Sequence, residues 1–317
     1  MPEVLSVKGN HIQIWEHFHG QWRDQYDDSI PGDKTINSTA LACDSKYCYA
    51  ALAYTQTEST DNLAVLRLNH TDWKAVAEVL LPNAATLGAI ELAPAGSSVW
   101  MLASGEPALG LMPKQLWVSQ DTGQKWALVA TSDILPVSKG LSFPTGYPTG
   151  LVPITPHRVI VSMSPHGGDD VVAVQYQLHP SKATNFSFSI PAHFSYVNEA
   201  FPALKDTSIT IPLLASNAHS TRLLWETLHS RTSWQAKLGP TISSNPTVSG
   251  YDTLVIVNNK TLKILSPQAP IITAPILPAF INPLVGALVA PRHMLALSLN
   301  GSLWENTLKG TWRIYHG

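Results

Sequence analysis

Along most of the chain apolar residues recur at every second position, and no stretch holds a 3.6-residue apolar period. Alternation of that kind predicts half-buried β-strands, bounded here by Gly, Pro, Asn, Asp and Ser clusters. Leu87 to Leu92, Ser98 to Ala103, Gln115 to Ser119 and Lys125 to Ala130 read as four successive strands. Thr247, Leu254 to Val257 and Leu262 to Leu265 repeat the scheme. So do Leu284 to Val289, His293 to Leu297, Ser302 to Trp304 and Thr311 to Tyr315. An all-β chain follows, with antiparallel hairpins as its unit.

Tryptophans mark the period of that unit. Nine of the ten fall in an apolar strand, a polar turn, and a Trp that opens the next strand. Ile14-Trp15 leads to Trp22, Val65-Leu66 to Trp73, Trp117 to Trp126, Trp225 to Trp234 and Trp304 to Trp312. The first anchors stand near positions 15, 66, 117, 225 and 304, giving steps of 51, 51, 108 and 79. The two larger steps each have room for one further unit. Val172 to Leu178 with Phe186-Ser187-Phe188 fills one, and Leu262 to Leu265 begins the other. The expected units span about 1–28, 35–80, 86–131, 150–190, 207–238, 246–276 and 283–316. Repeats of this length, four strands each, predict a β-propeller, most consistently of seven blades, with six or eight as alternatives. The first unit shows only three strands, which leaves ring closure open.

One turn carries a specific signature. Ser119, Asp121, Gly123 and Trp126 stand at fixed offsets between two apolar strands. Asp121 can accept hydrogen bonds from its own turn, and Gly123 supplies a positive φ. Trp126 can fold its ring between sheets with its N–H free for a partner. These residues resemble the Asp-box, or BNR-repeat, β-propeller superfamily, to which sialidase-like enzymes and sorting receptors belong. The resemblance implies that Asp121 is structural and lies on the face opposite the usual binding site. A sialidase would also carry an Arg-Ile-Pro near its N-terminus and three arginines around the substrate carboxylate. No Arg-Ile-Pro occurs, and most of the seven arginines fall in outer-strand or turn positions. The resemblance therefore does not extend to a typical sialidase.

The ligand face is expected where loops are long: Thr55 to Asn62, Ser104 to Lys114, Ser132 to Tyr147, Ser164 to Asp170 and Pro191 to Asp206. Long loops on a closed scaffold are where function concentrates. Phe143, Tyr147, Phe194, Tyr196 and Phe201 either offer flat apolar faces to a ligand or pack their own loops. Glu106, Asp169, Asp170 and Glu199 can accept hydrogen bonds from hydroxyls. His166, in Ser164-Pro165-His166-Gly167-Gly168-Asp169-Asp170, adds an imidazole beside Asp169 and Asp170. This set suits a non-catalytic recognition or scaffolding module for a protein or glycan. The alternative is a glycoside hydrolase-like enzyme using two of Glu106, Asp170 and Glu199 as its carboxylate pair. His17-Phe18-His19 places two imidazoles on one strand face, in a turn away from the expected site. No zinc spacing, phosphate loop or cofactor motif appears, so no metal and no cofactor are expected.

Charge and composition narrow the partners. Twenty Lys and Arg against 22 Asp and Glu give a formal charge of −2, no basis for binding nucleic acid. Charged residues make up only 13%, so neutral polar groups cover the surface, as in extracytoplasmic or secreted β proteins. Apolar runs such as Thr273 to Val289 are broken by proline, and no membrane-spanning segment is expected. Met1-Pro2-Glu3-Val4 shows no signal peptide in this numbering. Cys43 and Cys48 flank a turn and either form a disulfide or remain two reduced thiols. Five Asn-x-Ser/Thr sequons add little in a chain so rich in Ser and Thr.

Overall fold

The computed structural model describes residues 3–8, 10–18, 21–30, 34–57, 60–69, 72–82, 89–105, 112–132, 140–164, 171–187, 196–200, 204–205, 208–217, 219–228, 234–242, 246–249, 253–258, 261–265, 272–278, 283–290, 293–298, 302–308 and 310–314. Among them the regular structure is entirely β, arranged in seven sheets. Two compact units divide the chain, Glu3–Phe188 and Ser189–Gly317.

The first unit contains four sheets. The first has three antiparallel strands, Glu3–Lys8, His11–Phe18 and Gln21–Ser29. The second runs Ile36–Cys43, Cys48–Thr57, Thr60–Asn69 and Asp72–Pro82. The third runs Ala89–Ala95, Ser98–Ser104, Lys114–Ser119 and Ala127–Thr131, and the short Leu141–Ser142 adds in parallel beside the last of these. Tyr147–Thr155, Arg158–Ser164, Val171–Gln177 and Lys182–Ser187 make the fourth.

Period-two patterning lets neighbouring sheets of a unit bury facing surfaces against one another. Ile12, Ile14, Tyr54 and Trp73 share a core between the first and second sheets. Tyr49, Val65, Leu92 and Met101 fill the space between the second and third. Trp100, Leu116, Val161 and Tyr176 do so between the third and fourth.

In the second unit, Tyr196–Ala200, Ile209–Ser216, Thr221–Leu228 and Trp234–Thr241 form one sheet, with Leu204–Lys205 beside Ile209–Ser216. Two further four-stranded sheets follow, Pro246–Ser249 through Ile272–Thr273 and Pro283–Ala290 through Arg313–Ile314. Val255, Ile264, Met294, Trp304 and Trp312 pack between those two, and Trp312 Nε1 donates to Pro275 O at 2.7 Å.

Two expected loops are corrected. Thr55 to Asn62 is not a long loop, because Cys48–Thr57 and Thr60–Asn69 run on to a tight hairpin. The stretch from Pro191 to Asp206 contains the strands Tyr196–Ala200 and Leu204–Lys205. A register shift between Val197 and Glu199 breaks the alternation there, which hides the strand from a period-two reading.

Candidate ligand-binding site

The end of the third sheet that carries the long connections is organised by a buried cation. Lys114 is 3% exposed at the start of its strand, paired with Ser104. Its Nζ donates to Pro144 O at 3.0 Å and to Gly146 O at 2.7 Å, and lies 5.9 Å from the centre of the Phe143 ring. An ammonium group withdrawn from water must be met by acceptors, and two backbone carbonyls of the 141–147 segment meet this one. Gly146 has φ +116, which turns the chain back into the strand Tyr147–Thr155. The same end is closed by Ser132 N to Lys114 O at 3.0 Å, Lys114 N to Ser132 Oγ at 3.0 Å, and Phe143 N to Thr131 O at 3.3 Å.

Below this end lies Glu91, on the first strand of the third sheet. Its neighbours Ile90 and Leu92 turn toward the second sheet, so period-two alternation sends Glu91 toward the fourth. There the Leu151 N–H donates to its carboxylate. The side chain keeps some contact with solvent. Burial of the carboxyl nevertheless outweighs that hydrogen bond and pushes its pKa up to about 7. Glu226, in the second unit, is 3% exposed and is likewise pushed up to about 7 by burial.

The predicted residues fall into three groups. Phe143 is 7% exposed and stacks at 5.2 Å, tilted, on Tyr176, so its ring belongs to the core between the third and fourth sheets. That corrects its expected place among ligand-facing aromatics: the Lys114 staple draws the segment down and sinks the ring. Tyr147 opens the first strand of the fourth sheet and remains half-buried. Glu106, His166, Asp169, Asp170, Phe194 and Phe201 lie outside the described residues, as does His19. Tyr196 and Glu199 are placed by backbone only, in the first strand of the second unit's first sheet, opposite Ser216 and Leu214. Glu91 and Lys114 are not among the residues that sequence reasoning singles out. A charged residue inside an otherwise apolar strand is the signal that points to Glu91; Lys114, at the polar start of its strand, carries no such signal.

At the other end of the third sheet the turn after Ser119 closes on itself. Ser119 Oγ donates to Asp121 Oδ1 at 2.8 Å, and accepts from Gly123 N at 2.9 Å. Asp121 Oδ1 also accepts from Lys125 N at 2.9 Å and Gln124 N at 3.2 Å. Desolvation is the largest single influence on Asp121 and works against its ionisation, but the donors from Lys125, Ser119 and Gln124 together hold its pKa below the usual carboxylate range. Gly123 has φ +89, and Trp126 Nε1 donates to Gly123 O at 3.0 Å. Asp121 thus spends Oδ1 on closing its own turn. Nearby, Cys43 and Cys48 are joined by a disulfide across the hairpin of the second sheet.

Likeness to solved structures decides the fold. YCF48 from Cyanidioschyzon merolae is 14% identical, with a TM-score of 0.54 over 90% of this chain and 86% of that one. YCF48 bound to D1 peptide gives 0.51 over 90% and 83%, also at 14% identity. The Penicillium chrysogenum alpha-L-arabinanase complexed with arabinobiose is 12% identical, with a TM-score of 0.51 over 87% of this chain and 94% of that one. The fold is a β-propeller. At such identities the likeness covers the fold alone. No protein-family model and no curated protein sequence matches the chain. At the Lys114 end of the third and fourth sheets stand the strand ends Ser104, Lys114, Thr131, Tyr147 and Ser164.

Proposed function

We propose that this propeller is a non-catalytic recognition or scaffolding module that binds a protein or glycan at the Lys114 end of its third and fourth sheets. The observation that carries the reading is the Lys114 staple, which fixes the backbone of Pro144 and Gly146 through two hydrogen bonds. A connection held by a buried cation loses little freedom when a ligand arrives, and pre-organisation of that kind favours binding. Tyr147 stands at the mouth of this segment, and Glu106, His166, Asp169 and Asp170 belong to the adjoining connections. Phe143 anchors the 141–147 segment by packing on Tyr176. Propellers of the same fold include one bound to a peptide and one complexed with a disaccharide, which supports a protein or glycan as partner class. The self-contained turn from Ser119 to Trp126 is read as an Asp-box whose role is structural. The Cys43–Cys48 disulfide supports an extracytoplasmic or secreted setting.

Glu91 favours a second reading, a glycoside hydrolase-like enzyme. A carboxyl raised to about 7 is matched to general-acid work at neutral pH. Glu106 or Asp170 would then supply the second carboxylate.

One set of proteins tests both. Wild type, Lys114→Met, and Glu106→Gln/Asp170→Asn are compared on a glycan array and in pull-downs, with chromogenic glycosides assayed alongside. Binding that weakens in both variants, without turnover in wild type, supports recognition. Turnover in wild type that is lost in a further variant, Glu91→Gln, supports the enzyme. Binding unchanged in both variants excludes this end of the sheets as the ligand face.

A further inference from the structure

At the opposite end of the third and fourth sheets two imidazoles are held side by side. His157 sits in the turn between Tyr147–Thr155 and Arg158–Ser164, and His179 in the turn between Val171–Gln177 and Lys182–Ser187. Both side chains are exposed, and their ring centres are 5.6 Å apart at an interplanar angle of 62°. Three hydrogen bonds hold the two turns in place. Leu178 N donates to His157 O at 3.0 Å, which ties one turn to the other. His157 N donates to Thr155 Oγ1 at 3.2 Å, and Gln177 Nε2 donates to His179 O at 2.6 Å. The third sheet contributes Gln120, whose amide nitrogen Nε2 stands 3.1 Å from His157 Nδ1.

The geometry points to a divalent transition-metal site, a Zn²⁺, Ni²⁺ or Cu²⁺ ion held between His157 and His179. Imidazole is the nitrogen ligand these ions favour. With metal–nitrogen bonds of about 2.1 Å and a tetrahedral opening, two coordinated rings have centres roughly 5 Å apart, within a small rotamer adjustment of the separation seen here. Metal-binding histidines characteristically engage the second ring nitrogen with an outer partner that fixes tautomer and orientation. Gln120 stands where that partner belongs: turned so that its oxygen faces Nδ1, it accepts the Nδ1–H and leaves Nε2 for the ion. Water or an incoming side chain from another molecule completes the coordination, since both rings face solvent. An ion here would also tie the turn of the third sheet, through Gln120, to both turns of the fourth. This site lies at the end of the sheets away from Lys114, and it does not depend on which ligand binds there.

The test is isothermal titration of the full chain with ZnCl₂ and separately NiCl₂ at pH 7.5, on wild type, His157→Ala/His179→Ala and Gln120→Leu. Circular dichroism checks that each variant is folded; both histidines are exposed, so folding is expected to be kept. Expected are one micromolar site in wild type, at least tenfold weaker binding in the double variant, and a severalfold loss in Gln120→Leu. No heat with either metal, or a double variant that binds as wild type does, would overturn the assignment. The second result would place the ion on the chain's other histidines.

Discussion

Asp44, in the hairpin turn of the second sheet, accepts the backbone N–H of Gly96 in the third sheet at 2.9 Å. Its other oxygen accepts from Lys46 N at 2.7 Å and Tyr47 N at 2.8 Å, so one carboxylate both closes its own turn and fastens the next sheet. Arg67 adds to the joint from the third strand of the second sheet, donating to Thr122 O at 3.0 Å and to Thr122 Oγ1. Thr122 sits at φ +60, a conformation such contacts help to hold. Asp44→Ala is expected to lower stability by about 1–3 kcal/mol, because it strands backbone donors of two turns. Asp44→Asn, which keeps an acceptor, should recover part of that. Urea denaturation of both variants measures the difference; equal loss in the two would mean that charge rather than hydrogen bonding matters.

The disulfide Cys43–Cys48 closes the same hairpin, five residues apart in sequence. Loop-closure entropy for so short a loop predicts that Cys43→Ser/Cys48→Ser costs about 2 kcal/mol. A dithiol reductant should lower the melting temperature of wild type and leave that of the double variant unmoved.

Glu91 gives stability a pH dependence of defined sign. Its carboxyl is raised from 4.5 to about 7 in the folded protein, so the folded state holds the proton more tightly than the unfolded chain does. The stability this gives is complete below about 4.5 and is lost as pH rises through about 7. Glu226 behaves in the same sense. Glu91→Gln should therefore flatten the melting temperature between pH 5 and 8, and raise it at pH 8. A Glu91→Gln curve that falls as steeply as wild type would assign the slope to other groups.

Gly239 fits beneath a tryptophan. A Cβ at this position would stand 2.8 Å from Trp225 Nε1 and 3.1 Å from Leu223 O, and the second of these is backbone that cannot swing aside. Its carbonyl also accepts from Arg222 Nη2 at 2.8 Å. Gly239→Ala is expected to destabilise the chain by about 1–3 kcal/mol through overpacking. A thermal melt that is unchanged would show that the strand Trp234–Thr241 can shift outward.

Most of the strands are legible in the sequence, because alternation and turn chemistry are local. The Trp117 hairpin is the clearest case: Ser119, Asp121, Gly123 and Trp126 satisfy one another within eight residues, so their roles follow from spacing. The strand Tyr196–Ala200 escapes a period-two reading because a register shift breaks its alternation. The aromatic at 143 is a different problem: whether a ring faces ligand or core depends on what lies beneath it, and Tyr176 is 33 positions away along the chain.

By itself the sequence determined an all-β chain of repeated hairpins, the place of the signature turn, and a surface of neutral polar groups. These rest on periodicity and on contacts between near neighbours. Only the tertiary structure decided that Lys114 is a buried staple, that Glu91 meets Leu151 across two sheets, and that His157 stands beside His179. Each depends on segments brought together by strand pairing or sheet packing, and for Lys114 and Glu91 the cost or benefit of burying a charge is set by those distant partners.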